Sequence, residues 1–192
     1  LELAPMAALS PARVRNLVRL WLHRLGIHSL RQRQWQVFFG DLMAKESAAG
    51  TLVLRGGSLR RYRQAIYCVD DDEVAPPSAA GWDGHQHAGL GSAGVLRWSR
   101  GQARGLDPGY SYRVVFRAGG EALQPAGSQH CVSLKRLLQE QGVPPWWRSR
   151  VPLLMCDGDL AAVADLAVAS RFLAGADDGA LQLIWDPRGG CP

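Results

Sequence analysis

This 192-residue chain lacks most of the features that would mark it as a self-contained enzyme, a metal protein or a membrane protein. It has only four cysteines, Cys68, Cys131, Cys156 and Cys191, and none stands in a C-x-x-C pair. That spacing argues against a structural zinc site. With no sign of secretion, the thiols are expected to stay reduced in the cytoplasm. No apolar run reaches the roughly 18–20 residues a membrane helix needs, so no membrane partner is expected. The opening Leu1-Glu2-Leu3-Ala4-Pro5 has no basic stretch and no cleavage pattern, and so does not read as a signal peptide. It also lacks a starting Met, as expected of a piece excised from a longer chain.

Catalytic signatures are missing too. There is no Walker A loop, no G-x-G-x-x-G opening a helix, no G-x-S-x-G elbow and no Ser/His/Asp set that can be placed. Arg55-Gly56-Gly57-Ser58 lies between two strand-like runs rather than before a helix, so it reads as a hairpin turn. His85 and His87 could ligate a metal from a strand, and with a cysteine they would suggest a metal- or thiol-dependent enzyme. They stand in a Gly-rich segment without an evident third ligand, and no metal is expected there.

What the chain does have is arginine. Net charge is +5, the sequence pI is about 9.4, and Arg supplies most of the positive charge. The planar guanidinium grips phosphate in two places and stacks on bases, which favours a nucleic-acid partner. A genome rich in G and C would produce the same bias without any such partner.

Periodicity divides the chain into an α+β pair of domains. Residues 1–75 read as a small helical domain with a β-hairpin. Ser10 and Pro11 suit a helix start, and Val14, Leu17, Val18, Trp21, Leu22 and Leu25 form one apolar stripe that ends at Gly26. A second helix is expected over residues 31–45, with Trp35, Phe38, Phe39, Leu42 and Met43 inward. Thr51 to Arg55 and Leu59 to Val69 are expected as the two hairpin strands. Residues 76–94, after the acidic run Asp70-Asp71-Asp72-Glu73, read as a linker with a short ordered piece near Trp82.

Residues 95–192 read as a compact α+β domain with a mostly antiparallel sheet and one main helix. Strands are expected at Val95–Trp98, Tyr110–Phe116, Leu153–Cys156, Leu160–Val168 and Leu181–Trp185. Asp157-Gly158-Asp159 is the turn of a hairpin. Ser133 caps a helix through Gln141, which Gly142 and Pro144-Pro145 stop.

Three sets of side chains could carry function. Arg15 and Arg19, with His23, line one side of the first helix. Arg60, Arg61 and Arg63 flank Tyr62 on a strand, where alternation puts Arg61 and Arg63 on one face and Arg60 and Tyr62 on the other. This is a plausible phosphate and base contact, or else a solvated edge that discourages aggregation. In the second domain, Lys135 and Arg136 stand in the first helical turn, against the helix dipole, which makes sense if a phosphate binds between them. Trp146 and Arg148 follow the Pro-Pro turn, with one of Trp146 and Trp147 expected inside and the other partly exposed. Exposed tryptophans could instead anchor a protein partner, the alternative being a protein-interaction or scaffold module.

The residues from Ser10 to Leu22, then Leu59-Arg60-Arg61-Tyr62-Arg63, then Leu134 to Leu154 with Val163-Ala164-Asp165-Leu166, together resemble the substrate-binding and C-terminal domains of tRNA(Ile)-lysidine synthetases. The resemblance covers nearly the whole chain and is most specific at the helix–Pro-Pro-Trp–Arg–Pro-Leu-Leu arrangement. It implies a tRNA-binding part of a ligase that uses ATP (with magnesium) and lysine to modify the wobble cytidine of a tRNA(Ile) with a CAU anticodon. It implies Arg117, Lys135, Arg136 and Arg148 as tRNA contacts beside Arg15, Arg19, Arg60, Arg61, Arg63 and Trp146. The family's Ser-Gly-Gly-x-Asp-Ser loop is absent here, so no catalytic residue carries over and this piece alone is expected to bind no ATP. The implied partners are the tRNA and the N-terminal catalytic domain of the same polypeptide, with a second copy of the chain as a further candidate. Family members often carry Arg between the strand at Phe116-Arg117 and the helix at Lys135. Here Gly119-Gly120-Glu121 is followed by Ala122, Gln124, Ser128 and Gln129, none of them basic.

Overall fold

The computed structural model describes residues 1–43, 50–69, 80–81, 87–101, 104–174 and 179–187. The acidic run at Asp70, Pro76-Pro77, Trp82, His85 and Cys191 lie outside the described residues. The chain forms two compact units, Leu1–Glu73 and Val74–Pro192.

In the first unit, helices α1 (Leu3–Ala7), α2 (Pro11–Arg24) and α3 (Gln32–Val37) precede an antiparallel sheet of β1 (Thr51–Leu54), β2 (Gly57–Tyr62) and β3 (Ala65–Val69), in that order. Ser10 is extended and Pro11 opens α2, where a missing N–H costs nothing. Val14, Val18 and Leu22 are fully buried along one stripe, with Leu17 and Trp21 packed at its margins. Leu25, the last residue expected on that stripe, is instead 49% exposed, because α2 stops at Arg24 and Gly26 turns the chain at φ +72°. α3 runs directly into a π-helical stretch, Phe38–Met43. Its wider turn buries Phe38 and Leu42 and leaves Phe39 at the edge of the core. Gln34 secures the start of α3 by accepting from the Arg31 amide at 2.8 Å and reaches β1 by donating to the Val53 carbonyl at 3.2 Å.

The expected single strand Leu59 to Val69 is in fact two. It breaks at Arg63-Gln64, where Arg63 adopts φ +51°, and β3 turns back along β2 with Arg61 opposite Ile66. The unit therefore has a three-stranded sheet rather than a hairpin.

The second unit is built on antiparallel pairings among its described strands. Its largest sheet runs β12 (Ala167–Val168), β11 (Asp159–Val163), β10 (Leu153–Cys156), β7 (Arg113–Val115), β4 (Ala80–Gly81). A second sheet places β6 (Val95–Arg100) between β13 (Leu181–Asp186) and β5 (His87–Gly89), and β8 (Ala122–Leu123) pairs with β9 (Val132–Ser133). Residues read as linker thus supply β4 and β5. Both are short edge strands in a Gly/Ala/Ser-rich stretch, where no apolar alternation announces them. Asp157 and Gly158, at φ +50° and +89°, make the two-residue β10–β11 turn whose twist matches the strands. β11 ends earlier than the sequence suggests, at Val163, because Ala164 turns at φ +43° and donates its amide to the Pro152 carbonyl. The strand expected over Tyr110–Phe116 shrinks to β7. Tyr110 and Tyr112 instead pack around Phe172, with the Tyr112 hydroxyl donating to the Asp107 carbonyl at 2.8 Å.

Helix α4 (Leu134–Glu140) is capped as its sequence suggests. The Ser133 hydroxyl accepts from the Arg136 amide, and Leu134, Leu137 and Leu138 face the core. Gly142, at φ +77°, turns the chain out of the helix. Trp185 fixes β13 by donating its buried indole N–H to the Ala93 carbonyl at 2.8 Å.

Candidate nucleic-acid interface

Charge is divided unevenly. Residues 1–73 hold eleven Lys and Arg against seven Asp and Glu, whereas residues 74–192 hold eleven against ten. Most of the basic excess belongs to the first unit.

Two arginines of α2 carry its clearest feature. Arg15 and Arg19 stand one turn apart on a rigid helix. The Arg15 guanidinium carbon lies 5.2 Å from the Phe39 ring centroid and 5.9 Å from that of Trp35. The Arg19 carbon is also 5.9 Å from Trp35. The two rings are stacked on each other, 5.9 Å apart at 29°. Among the described residues no carboxylate pairs with either arginine. Sequence reading takes Trp35 and Phe39 only as core; their spacing of four, opposite arginines also spaced four apart, is the signal for this layer.

The β2–β3 region corrects the face assignment. Arg61 is not displayed beside Arg63. It is 4% exposed, and its guanidinium donates to the Leu42 and Met43 carbonyls at 3.1 and 3.3 Å, where the π-helical stretch ends. Alternation itself explains this, since Arg61 shares a face with core residue Leu59. Arg61 therefore holds the fold together and is not available to a phosphate. Arg63 sits in the turn, exposed, with its guanidinium 5.5 Å from the Tyr62 ring. Arg60 is half-buried and donates to the Ser58 hydroxyl at 2.9 Å.

In the second unit, Arg117 and the first turn of α4 come onto neighbouring segments. The β8–β9 pairing sets Ala122 opposite Ser133, and the Leu134 amide donates to the Glu121 carbonyl at 2.9 Å. Burial pushes the Glu121 carboxyl up. The amides of Gly119 and Ala118, with nearby Arg117, outweigh that effect and hold it below the ordinary carboxylate range. Lys135 is exposed. Arg136 is exposed and paired with Glu140 at 2.7 Å, one turn along the helix. That pair gives Arg136 a partner within the helix, so its position does not require a bound phosphate. Arg148 belongs to the other end of α4, where its Nε donates to the Val143 carbonyl at 2.9 Å. Trp147 is buried and Trp146 half-buried, their rings 6.5 Å apart edge to face. One tryptophan thus lies inside and the other is partly exposed, as the sequence suggests. Arg171, which the sequence does not single out, ion-pairs with Asp159 and lies 5.2 Å from the Phe172 ring. His87 stands in β5 opposite Arg97, and His85 lies outside the described residues.

Residues 1–67 match the family model described as the TilS substrate binding domain, and residues 112–185 match the TilS substrate C-terminal domain. A tRNA(Ile)-lysidine synthase of Alkalilimnicola ehrlichii is 35% identical over 91% of this chain and 40% of its own length. Those of Xylella fastidiosa and Nitrosomonas europaea are 32% and 30% identical, over 96% and 97% of this chain and 43% and 42% of theirs. The chain thus spans about two fifths of the curated relatives it matches. A crystal structure of a TilS C-terminal domain aligns with 52% of this chain and 89% of its own at 21% identity, with a TM-score of 0.43. Both halves of the chain match domains of one family, in order, and the chain belongs to the tRNA(Ile)-lysidine synthase family through its substrate-binding and C-terminal domains.

Proposed function

We propose that this chain is the tRNA-holding part of a cytoplasmic tRNA(Ile)-lysidine synthetase, and that its two units grip a tRNA(Ile) with a CAU anticodon. A catalytic domain in the same polypeptide would attach lysine to the C2 carbon of the wobble cytidine, changing decoding from AUG to AUA. The observation that carries this reading is that each unit answers to a domain the family names for its substrate. The basic excess of residues 1–73 and the exposed Arg63, Arg19 and Lys135 supply the cations that a phosphate backbone requires. ATP, when bound, supplies adenylation of the cytidine. The residues here do not fit it: Gly56-Gly57 joins β1 to β2 with no helix start behind it. This chain would bind and orient the tRNA without forming or breaking a bond.

The test is tRNA binding by the chain at two salt concentrations. Neutralising several phosphates predicts at least about a hundredfold loss of affinity between roughly 50 and 200 mM salt. Replacing Lys135 and Arg136 by Ala should weaken binding and reduce the logarithmic salt slope by about one for each phosphate no longer neutralised. Equal affinity at both salt concentrations would sink the reading.

A further inference from the structure

We infer that the α2–α3 face of the first unit is a stacking site for unpaired nucleotides, formed by Arg15 and Arg19 on the Trp35–Phe39 aromatic pair. The inference rests on the tRNA reading above and adds a mode of recognition to it.

The chemistry comes from what holds these two arginines in place. An exposed arginine ordinarily finds a carboxylate or sweeps through solvent. Here each guanidinium carbon lies over an aromatic ring, 5.2–5.9 Å from its centroid, and among the described residues no carboxylate takes the charge. The ring layer is itself fixed, because Trp35 is 4% exposed and its edge packs on fully buried Phe38, centroids 5.5 Å apart. Trp35 also keeps an indole N–H buried with no acceptor among the described residues, so packing and the cations, rather than a hydrogen bond, set the ring's position. Arg19 is exposed and Arg15 half-buried. The result is two planar cations on one aromatic layer, one exposed and one half-buried, one turn apart and about 6 Å along the helix axis.

A planar cation held on an aromatic layer, with no carboxylate partner among the described residues, suits an unstacked base carrying its own phosphate. The base lies on the guanidinium plane, and the N–H edge meets the phosphate oxygens. A duplex offers no base face to such a site, only its backbone. The expected ligand is therefore the looped-out or single-stranded part of an RNA. Lysine in the same positions would keep the charge and lose the plane, so charge and stacking are separable.

The experiment uses the full chain and two RNAs of equal phosphate count, a hairpin with an unpaired loop and a blunt duplex, followed by fluorescence anisotropy. Arg15→Lys with Arg19→Lys should weaken hairpin binding about tenfold while changing duplex binding less than about twofold. Arg15→Ala with Arg19→Ala should weaken both. If the double lysine variant loses its wild-type circular dichroism, the single Arg19→Lys, at an exposed position, should still give a loss of about threefold on the hairpin alone. Lysine variants that bind the hairpin as tightly as wild type would overturn the stacking site and leave the tRNA reading standing. A wild-type chain that binds neither RNA would overturn both.

Discussion

Arg61 offers the sharpest test of how the first unit is held together. Its guanidinium is buried, and among the described residues no carboxylate meets it; its clear partners are the carbonyls of Leu42 and Met43. Those carbonyls close a π-helical stretch and have no donor within it. Two effects oppose each other. Burying a lone charge is costly, so removing it returns about 1–2 kcal/mol. Leaving two carbonyls without a donor costs about 1–2 kcal/mol each. Arg61→Met keeps most of the stem and removes both donors and charge, for a net loss of about 1–2 kcal/mol. Arg61→Ala also gives up two buried methylenes at about 0.8 kcal/mol each, for a loss of about 3 kcal/mol. Urea unfolding measures the total. Amide exchange localises it, since protection over Phe38–Met43 should fall first. A methionine variant as stable as wild type would show that the buried charge costs more than its hydrogen bonds return, and the helix-end role of Arg61 would be wrong.

Two further outcomes follow from single side chains. Gly158→Ala should cost about 1–2 kcal/mol in the urea midpoint: the backbone stands at φ +89° and an added Cβ meets nothing within 4 Å, so the loss is conformational alone, and an unchanged midpoint would refute it. Glu121→Gln should destabilise at neutral pH, because a folded carboxyl held below the ordinary range contributes stability above its unfolded value and loses it as pH falls through the lowered folded value. The gap between variant and wild type in unfolding midpoint should therefore close in acid, and a gap of constant size would count against the role of the Ala118 and Gly119 amides.

Much of the architecture is legible in residue order where local chemistry is strong. The α2 stripe, the Ser133 cap and the Asp157-Gly158 turn each rest on a short-range rule that tertiary packing leaves intact. The two strand breaks are hidden for a shared reason. At Arg63 and Ala164 the chain takes positive φ without glycine, so no turn residue marks the reversal. The π-helical stretch is equally silent, since its apolar spacing fits an ordinary helix. For the candidate interface, composition points to arginine but not to which ones face outward. Arg61 is the instructive error: reading alternation from Arg63 puts it outside, and reading it from Leu59 puts it in the core.

The placement of β6 between β5 and β13 has a consequence for how the second unit comes into being. Its pairing with β5 closes a short loop, Gly89 opposite Val95, whereas β13 must return across the chain to set Leu181 opposite Arg100 and Asp186 opposite Val95. Local closure is fast, and contacts of such sequence separation are slow to form. During synthesis β6 stands with one side unpaired until residues 181–186 emerge, a bare ladder of amides and carbonyls that another chain could capture. The β10–β11 hairpin, closed by two residues, can by contrast complete early. Assembly of this unit is therefore governed at its last step by the arrival of one strand and the docking of Trp185 beneath Ala93.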